Sequence, residues 1–161
     1  MNAIRNTLPA SARKKSIQLL NSTMADLFDL YARTKQAHWN LRGQSFIALH
    51  KLLDECAATV QEHIDTAAER ATALGGIVEG TLRDTVKRSQ LKKKEEPASK
   101  SGQRDWIREL ADVYAACGDH VRRAIKKIAD EDDFGTADLL TDVLRDLDKQ
   151  LWILEAHLER K

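Results

Sequence analysis

The stretch that decides the fold runs from Lys35 to Gly76 and reads KQAHWNLRGQSFIALHKLLDECAATVQEHIDTAAERATALGG. Its apolar residues recur every three or four positions, as they do on the buried face of an amphipathic helix. Gly43 interrupts this pattern near its start, and Gly75-Gly76 supplies a stop. The stretch therefore predicts the end of one long helix and a second helix that runs from about Ser45 to Leu74.

Similar apolar periods on both sides predict the rest of the fold. A first helix runs from about Ser11 to Asn40, a third begins near Arg104, and Thr136 caps a fourth after the acidic turn DEDDFG. The polar connection 77–103 has room for a short helix near 82–91 and is otherwise expected to be mobile. No strand pattern competes. The sequence predicts an all-α, four-helix bundle with one long crossover connection, the ferritin-like topology.

Length and composition fit one globular unit. The 161 residues are 42% hydrophobic and 32% charged, which predicts a single domain over 1–161. No run approaches the roughly 20 apolar residues of a membrane span, and the N-terminus shows no apolar secretory signal. We therefore expect no membrane association and a cytoplasmic location. Cys56 and Cys117 lie mid-helix among small apolar residues, so we expect two buried free thiols.

The net charge of +1 hides an uneven distribution. Residues 1–15 contain four basic and no acidic residues, and residues 83–104 contain eight basic and three acidic ones. We interpret residues 1–10 as a flexible N-terminal tail and residues 77–103 as a basic crossover loop. Such patches either bind DNA non-specifically through its phosphates or only keep a solvated loop soluble, and the sequence leaves both interpretations open.

Five side chains in the opening stretch are potential metal ligands: His38, His50, Asp54, Asp65 and Glu69. At about 100° per residue, the last four share one stripe of the second helix, away from its apolar seam. Asp54 and Asp65 are eleven positions apart, roughly 16 Å along the helix, whereas a metal ion binds its ligands at about 2 Å. The two halves of the stripe therefore cannot hold one ion within one chain.

Two copies of this helix, packed antiparallel about a twofold axis, remove that difficulty. His50 and Asp54 of one copy then face the partner's Asp65 and the partner's Glu69, which gives two equivalent sites per dimer. His38 could complete the histidine half. Imidazole and carboxylate ligands without thiolate favour iron or manganese over structural zinc. The sequence contains no Glu-x-x-His, so a di-iron site inside one bundle is disfavoured. A solvated acidic stripe with incidental histidines is the alternative.

The pattern K-x-x-HWN-x-x-G-x-x-F-x-x-LH-x-x-x-D, followed by D-x-x-AER-x-x-x-LGG, resembles the Dps family (DNA-binding proteins from starved cells, or mini-ferritins). The segment TADLLTDVLRDLDKQLWILEAHLE, 136–159, is similar to the family's last helix. The resemblance implies a di-iron ferroxidase centre between twofold-related subunits. His38, His50 and Asp54 match the ligands from one subunit, and Asp65 and Glu69 match those from the other.

The resemblance further implies a hollow homododecamer with twofold and threefold interfaces. Its members oxidise Fe²⁺, typically with hydrogen peroxide, store the ferric mineral and protect DNA from oxidative damage. Two iron ions at one site can deliver two electrons to peroxide together, which avoids release of hydroxyl radical. The sequence itself does not decide between hydrogen peroxide and O₂ as the oxidant.

The sequence is less decisive about a role of several neighbouring residues in the site. The resemblance implies that Trp39 lies near the metals, but a packing aromatic is the alternative. Lys35 is either a hydrogen-bond partner of a ligating carboxylate or a surface residue. His63 is expected to be a polar interface residue, and His120 and His157 show no partner pattern. An acidic cluster either lines a threefold iron-entry pore or forms a solvated turn. Its members are Asp130, Glu131, Asp132, Asp133, Asp138 and Asp142.

Two other functional classes compete with iron oxidation. One is a nucleoid-structuring DNA-binding protein whose metal site is vestigial, which would place the chain on the bacterial nucleoid. The other is a helical interaction module without metal chemistry. The complete set of five ligand residues favours the ferroxidase, whereas the basic loop keeps DNA binding as an additional role.

Overall fold

The computed structural model describes residues 2–91 and 102–158, and within these ranges it contains five helices and no strand. The helices are α1 (Ala10–Asn40), α2 (Phe46–Ala73), α3 (Leu82–Arg88), α4 (Gln103–Ala129) and α5 (Phe134–Ala156). The predicted all-α bundle is confirmed, including the short helix in the crossover.

The four long helices pack as two hairpins, α1 with α2 and α4 with α5, and α1 also packs along α4. The predicted apolar seams meet in one core. Leu20, Leu27 and Leu30 of α1 are fully buried, and Tyr114 of α4 is 1% exposed. Phe46 is an exception: the sequence placed it on the buried seam of α2, but it lies 37% exposed at the start of that helix.

The turn after α2 depends on its two glycines. Gly75 has a φ of +83°, a conformation that costs a residue with a side chain but not glycine. A Cβ on Gly76 would lie 2.7 Å from Cγ2 of Ile17 in α1. The N-terminal segment runs past this turn, where the backbone nitrogen of Asn2 donates to the oxygen of Gly75 at 2.8 Å. Part of the expected tail thus contacts the bundle.

The N-cap of α5 is Asp133 and not Thr136, so the predicted cap is wrong. The Asp133 carboxylate accepts from the Thr136 backbone nitrogen at 3.1 Å and from the Thr136 hydroxyl at 2.6 Å. Arg70 of α2 also donates to it, at 2.8 Å. Burial works against the charge of Asp133, but these donors outweigh it and lower its pKa. This buried, ionised carboxylate therefore ties α5 to α2.

The described part of the crossover is tied to the bundle by a second buried carboxylate, Asp26 of α1. Asp26 Oδ1 accepts from the backbone nitrogen of Gln90 at 2.6 Å and from the Ser89 hydroxyl at 3.2 Å. Its Oδ2 lies 2.9 Å from His120 Nδ1 in α4. The crossover is therefore fixed to two helices as far as Leu91. The part that the sequence suggested to be mobile, 92–101, lies outside the described residues.

Two further sequence predictions concern the cysteines and a possible membrane span. Cys56 and Cys117 are buried free thiols, as predicted. In the described residues, no helix has the length and apolar character needed to cross a bilayer.

Candidate metal centre

His38 and His50 form a reciprocal pair where α1 ends and α2 begins. His38 Nδ1 lies 2.8 Å from the backbone oxygen of His50, and His50 Nδ1 lies 3.0 Å from the backbone oxygen of His38. The two rings stack, with their centroids 3.7 Å apart and their planes at 19°. Phe46 lies against His50, with ring centroids 5.0 Å apart. The chain reversal between the helices thus holds two imidazoles side by side.

These contacts decide the tautomer of both rings. A carbonyl oxygen only accepts hydrogen bonds, so each Nδ1 must carry the proton. In the neutral ring the lone pair is then on Nε2. A backbone carbonyl on the second nitrogen is a usual support for a metal-binding histidine, because it orients the ring and raises its basicity. His38 and His50 are therefore each prepared to offer an Nε2 atom to a metal ion.

Lys35 and Asp54 form an ion pair beside the two histidines. Lys35 Nζ donates to Asp54 Oδ1 at 2.7 Å, and the same ammonium lies 5.8 Å from the centre of the Trp39 ring. The hydrogen bond and charge of Lys35 lower the pKa of Asp54, so this carboxylate stays ionised. The Lys35 side chain is 18% exposed, whereas that of Asp54 is 62% exposed. A cation that uses Oδ1 must first displace the ammonium.

The other two predicted ligands, Asp65 and Glu69, are exposed near the opposite end of α2. Asp65 borders a groove of about 740 Å³ between α1 and α2, whose walls include Phe28, Tyr31 and Ala58. Within the residues that the structure describes, no three His, Cys, Asp or Glu side chains of one chain are placed to hold a metal ion. The structure stacks His38 on His50 and pairs Asp54 with Lys35, and it leaves Asp65 and Glu69 further along α2.

The bundle interior offers little to a metal. Burial and the charge of Glu55 raise the pKa of Cys56 to about 11, so its thiol is protonated at neutral pH and is not a thiolate ligand. The Tyr114 hydroxyl lies in the same region, 3.3 Å from the Thr34 hydroxyl, and burial raises its pKa too. The interior near Cys56 and Tyr114 therefore offers no thiolate and no phenolate to a metal at neutral pH.

The acidic cluster near the α4–α5 turn divides into two parts. Asp133 is 1% exposed and is committed to capping α5, so it cannot line a pore. Asp142 forms an ion pair with Arg145 one turn further on. Asp130, Asp132 and Asp138 are exposed. A pore function for the cluster stays a prediction and concerns the exposed members.

Two other histidines have partners that the sequence did not disclose. His120 Nδ1 lies 2.9 Å from Asp26 Oδ2, and these residues are 94 positions apart. His63 Nε2 lies 2.9 Å from Asp146 Oδ2, which links α2 to α5 and fits the expectation of a polar contact residue. Neither pairing has a local sequence signal, because the partners meet only in the folded bundle.

Comparison with known proteins gives a consistent result. The ferritin-like domain family matches residues 17–161. A relative from Agrobacterium fabrum, called DNA protection during starvation protein, is 41% identical over 157 residues, 98% of this chain and 96% of its own length. DpsC from Streptomyces coelicolor superposes with a TM-score of 0.93 and 30% identity, over 99% of this chain and 92% of that one. This chain belongs to the Dps family of ferritin-like proteins.

The Dps protein from Vibrio cholerae is a further structural relative. It has a TM-score of 0.87 and 26% identity, over 99% of this chain and 100% of that one. It is described as a member of a broad superfamily of ferritin-like diiron-carboxylate proteins. The resemblance of the Lys35–Gly76 stretch to the Dps family is thus confirmed.

Replacing Lys35 by methionine should raise the pKa of Asp54 toward the ordinary value of roughly 4, because the ammonium is the main cause of its low pKa. Carboxyl ¹³C chemical shifts followed between pH 2 and 7 would measure the change. Lys51→Met is the matched control, since Lys51 is exposed on the same helix three residues before Asp54. An unchanged Asp54 titration in Lys35→Met would contradict the role assigned to this pair.

Proposed function

We propose that this Dps-family protein is a ferroxidase that oxidises Fe²⁺, with hydrogen peroxide as the preferred oxidant, at centres shared by two subunits. The ferric product is stored in a hollow homododecamer, and removal of Fe²⁺ and peroxide protects DNA. The reciprocal His38–His50 pair carries this proposal, because both Nδ1 protons are bound to backbone oxygens and both Nε2 lone pairs are left for a metal. A vestigial site would have no need of this arrangement.

The donor set fits iron. His38 and His50 supply imidazole nitrogen, and Asp54 supplies a carboxylate that Lys35 keeps ionised. Asp65 and Glu69 of a second subunit add two more carboxylates. Carboxylate oxygen stabilises Fe³⁺, whereas neutral imidazole also suits Fe²⁺, so the mixed set can hold iron in both oxidation states.

The spacing on α2 supports one particular pairing of subunits. His50 faces the partner's Glu69 and Asp54 faces the partner's Asp65 when two α2 helices run antiparallel. Both pairs are symmetric about the same point of the sequence, midway between Thr59 and Val60. One twofold axis at this height therefore satisfies both contacts without any shift of register.

The proposed reaction is balanced by two iron ions for each peroxide. Each Fe²⁺ gives up one electron, the O–O bond of hydrogen peroxide breaks, and two protons are taken up to form two water molecules. A single iron could supply only one electron, which would release hydroxyl radical. The partner's carboxylates thus matter for the outcome of the reaction as well as for affinity.

Lys35 gives the centre a cation of its own before iron arrives. Its ammonium holds Asp54 in place and gives that carboxylate a counter-charge. Binding of Fe²⁺ at the Asp54 oxygen that Lys35 now occupies requires the ammonium to move away. The Trp39 ring, whose centre lies 5.8 Å from the Lys35 ammonium, offers it a cation–π contact.

The double variant His38→Ala/His50→Ala should lose peroxide-dependent Fe²⁺ oxidation by roughly 10–100-fold or more, because a metal loses both of its nitrogen ligands. Ferric absorbance after anaerobic Fe²⁺ loading and addition of peroxide measures the rate. His157→Ala is the matched control: this histidine is exposed on the last turn of α5 and bonds only its own helix, at Ile153. Equal rates in the double variant and the native protein would refute the centre.

The twofold arrangement can be tested without iron by placing one cysteine near the axis. Gln61 is exposed on the stripe, and in the proposed dimer its two copies are offset by only about 4.5 Å along the helices. Gln61→Cys should therefore cross-link readily through a short thiol-reactive linker. Because Cys56 and Cys117 are buried, they should not compete.

Thr72→Cys is the control for that experiment. Thr72 is exposed on the same face of the same helix, but its two copies would lie roughly 37 Å apart along the helices. The proposed register predicts dimers on a denaturing gel for Gln61→Cys and not for Thr72→Cys. Equal cross-linking of both variants, or of neither, would rule the register out.

Non-specific DNA binding is a second candidate function, favoured by the basic residues of the crossover. Arg83 and Lys87 of α3 are exposed, and Arg88 is engaged with Glu79. Arg13, one of the four basic residues in 1–15, lies in α1 and donates to the backbone oxygens of Leu8 and Leu74. Repetition of the crossover around an assembly could still give many weak phosphate contacts.

Band-shift titration of duplex DNA at low and moderate salt tests this second function. We expect a shift at low salt that weakens steeply as salt is added, independently of DNA sequence, because only phosphates are contacted. Arg83→Glu/Lys87→Glu should weaken the shift, with Arg108→Glu on α4 as the control. Absence of a shift at low salt would restrict DNA protection to the iron chemistry.

A further inference from the structure

A small polar cleft lies where Gln90 of the crossover meets α1 and α4. Its volume of about 40 Å³ is larger than a single water molecule requires. None of the described residues of α2 borders it, so the cleft is separate from the ligand stripe of the proposed metal centre. Its polar lining includes Ser22, Thr23, Gln90, His120, Arg123 and Lys127.

Thr23 brings a nearly buried hydroxyl to this cleft. The residue is 5% exposed, and its hydroxyl has no hydrogen-bond partner within the described residues. By contrast, Thr34, Thr59 and Thr66 each donate to the carbonyl oxygen four residues earlier. Native proteins pair almost all buried polar groups, so an unpaired hydroxyl at a cleft indicates a partner from outside the chain.

Two further donors at the cleft are also unused. The Ser22 oxygen accepts from Gln90 Nε2 at 2.7 Å, and the Ser22 hydrogen has no acceptor among residues 2–91 and 102–158. Lys127 is exposed and forms no ion pair with any residue that the structure describes. Donors from α1 and α4 therefore meet at one cleft without an acceptor between them.

Asp26 also borders the cleft, but its carboxylate is already in use. Its Oδ1 accepts from the Gln90 backbone nitrogen and the Ser89 hydroxyl, and its Oδ2 accepts from His120 Nδ1. These three donors stabilise the carboxylate where it is. They leave little of it for a cation in the cleft.

The remaining charge favours an anion. Arg123 and Lys127 are exposed cations one turn apart on α4. Arg123 is paired with Asp119, but a guanidinium has five N–H donors, and one carboxylate does not occupy them all. A metal cation in the cleft would be repelled by both side chains. An anion would meet two positive charges and two hydroxyl donors.

We propose that this cleft binds a phosphate group, to which Arg123 and Lys127 supply charge and Ser22 and Thr23 supply hydroxyl hydrogen bonds. A phosphate group has several acceptor oxygens, so it can accept from donors that approach from two helices, and its bonds to arginine and lysine are charge-assisted. The group is either inorganic phosphate or a phosphodiester of DNA, because both present the same anionic oxygens. The inference does not depend on the proposed ferroxidase centre.

Equilibrium dialysis of the iron-free protein against radiolabelled inorganic phosphate tests the first source. We expect saturable binding at one site per subunit. Arg123→Gln/Lys127→Gln should weaken the affinity at least about tenfold, because both charge-assisted donors are lost. Arg122→Gln/Lys126→Gln is the matched control. It removes the same charge from the neighbouring exposed positions of α4, which do not border the cleft, and should change the affinity little.

A second variant separates this site from general surface charge. Ser22→Ala/Thr23→Val keeps every charge and removes only the two hydroxyls, and it should weaken the affinity roughly fivefold or more. Circular dichroism checks that helix content is native. If the double variant loses helix, Ser22→Ala alone replaces it, with the same expected direction.

Band shifts of duplex DNA with the same variants test the second source. A shift that the cleft variants weaken more than the control does, without binding of inorganic phosphate, would assign the cleft to DNA phosphodiesters. Cleft-dependent binding of inorganic phosphate with unchanged DNA shifts would assign it to the free ion. Equal effects of the cleft variants and the control in both assays would overturn the inference, as would no binding of either ligand.

Discussion

The proposed metal centre depends on one reciprocal interaction, in which each of two histidines donates from Nδ1 to the backbone oxygen of the other. This contact joins the end of α1 to the first turns of α2, so it fixes the reversal between the helices and the direction of both rings at once. Folding of the first hairpin and preparation of the imidazoles are therefore a single event. Loss of either ring would remove the stacking partner of the remaining ring but leave the backbone oxygen that fixes its tautomer.

Helix α2 then serves two purposes with two faces. Leu49, Leu53 and Val60 are fully buried against the rest of the bundle, while Asp54, Asp65 and Glu69 lie in solvent on another side. A single straight helix sets the distance between the two halves of the stripe, so neither half can adjust to the other within one chain. The proposed chemistry is thereby tied to assembly, because a single subunit would hold only half of the proposed centre.

Much of this could be predicted from the sequence, because the helices have strong apolar periods and the ligand stripe lies on one of them. The predictions that were wrong or missing depend either on local detail at the helix ends or on contacts between distant residues. Both Asp133 and Thr136 are good caps, and periodicity cannot choose between them. In the structure Asp133 accepts from the Thr136 backbone nitrogen, and Arg70 donates to both side chains. Phe46 fits the α2 seam by spacing, yet the first turn extends beyond the core. The contact of Asp26 with His120 joins residues 94 positions apart, which no local pattern reveals.

The two buried cysteines have a consequence for a protein that is proposed to consume peroxide. Peroxide oxidises the thiolate and not the thiol, first to sulfenic acid and then irreversibly further. With a pKa of about 11, Cys56 is ionised in only about one molecule in ten thousand at neutral pH, and burial raises the pKa of Cys117 as well. Close packing also keeps oxidant away from both sulfur atoms. The interior is therefore chemically inert toward the oxidant that the surface centre is proposed to consume.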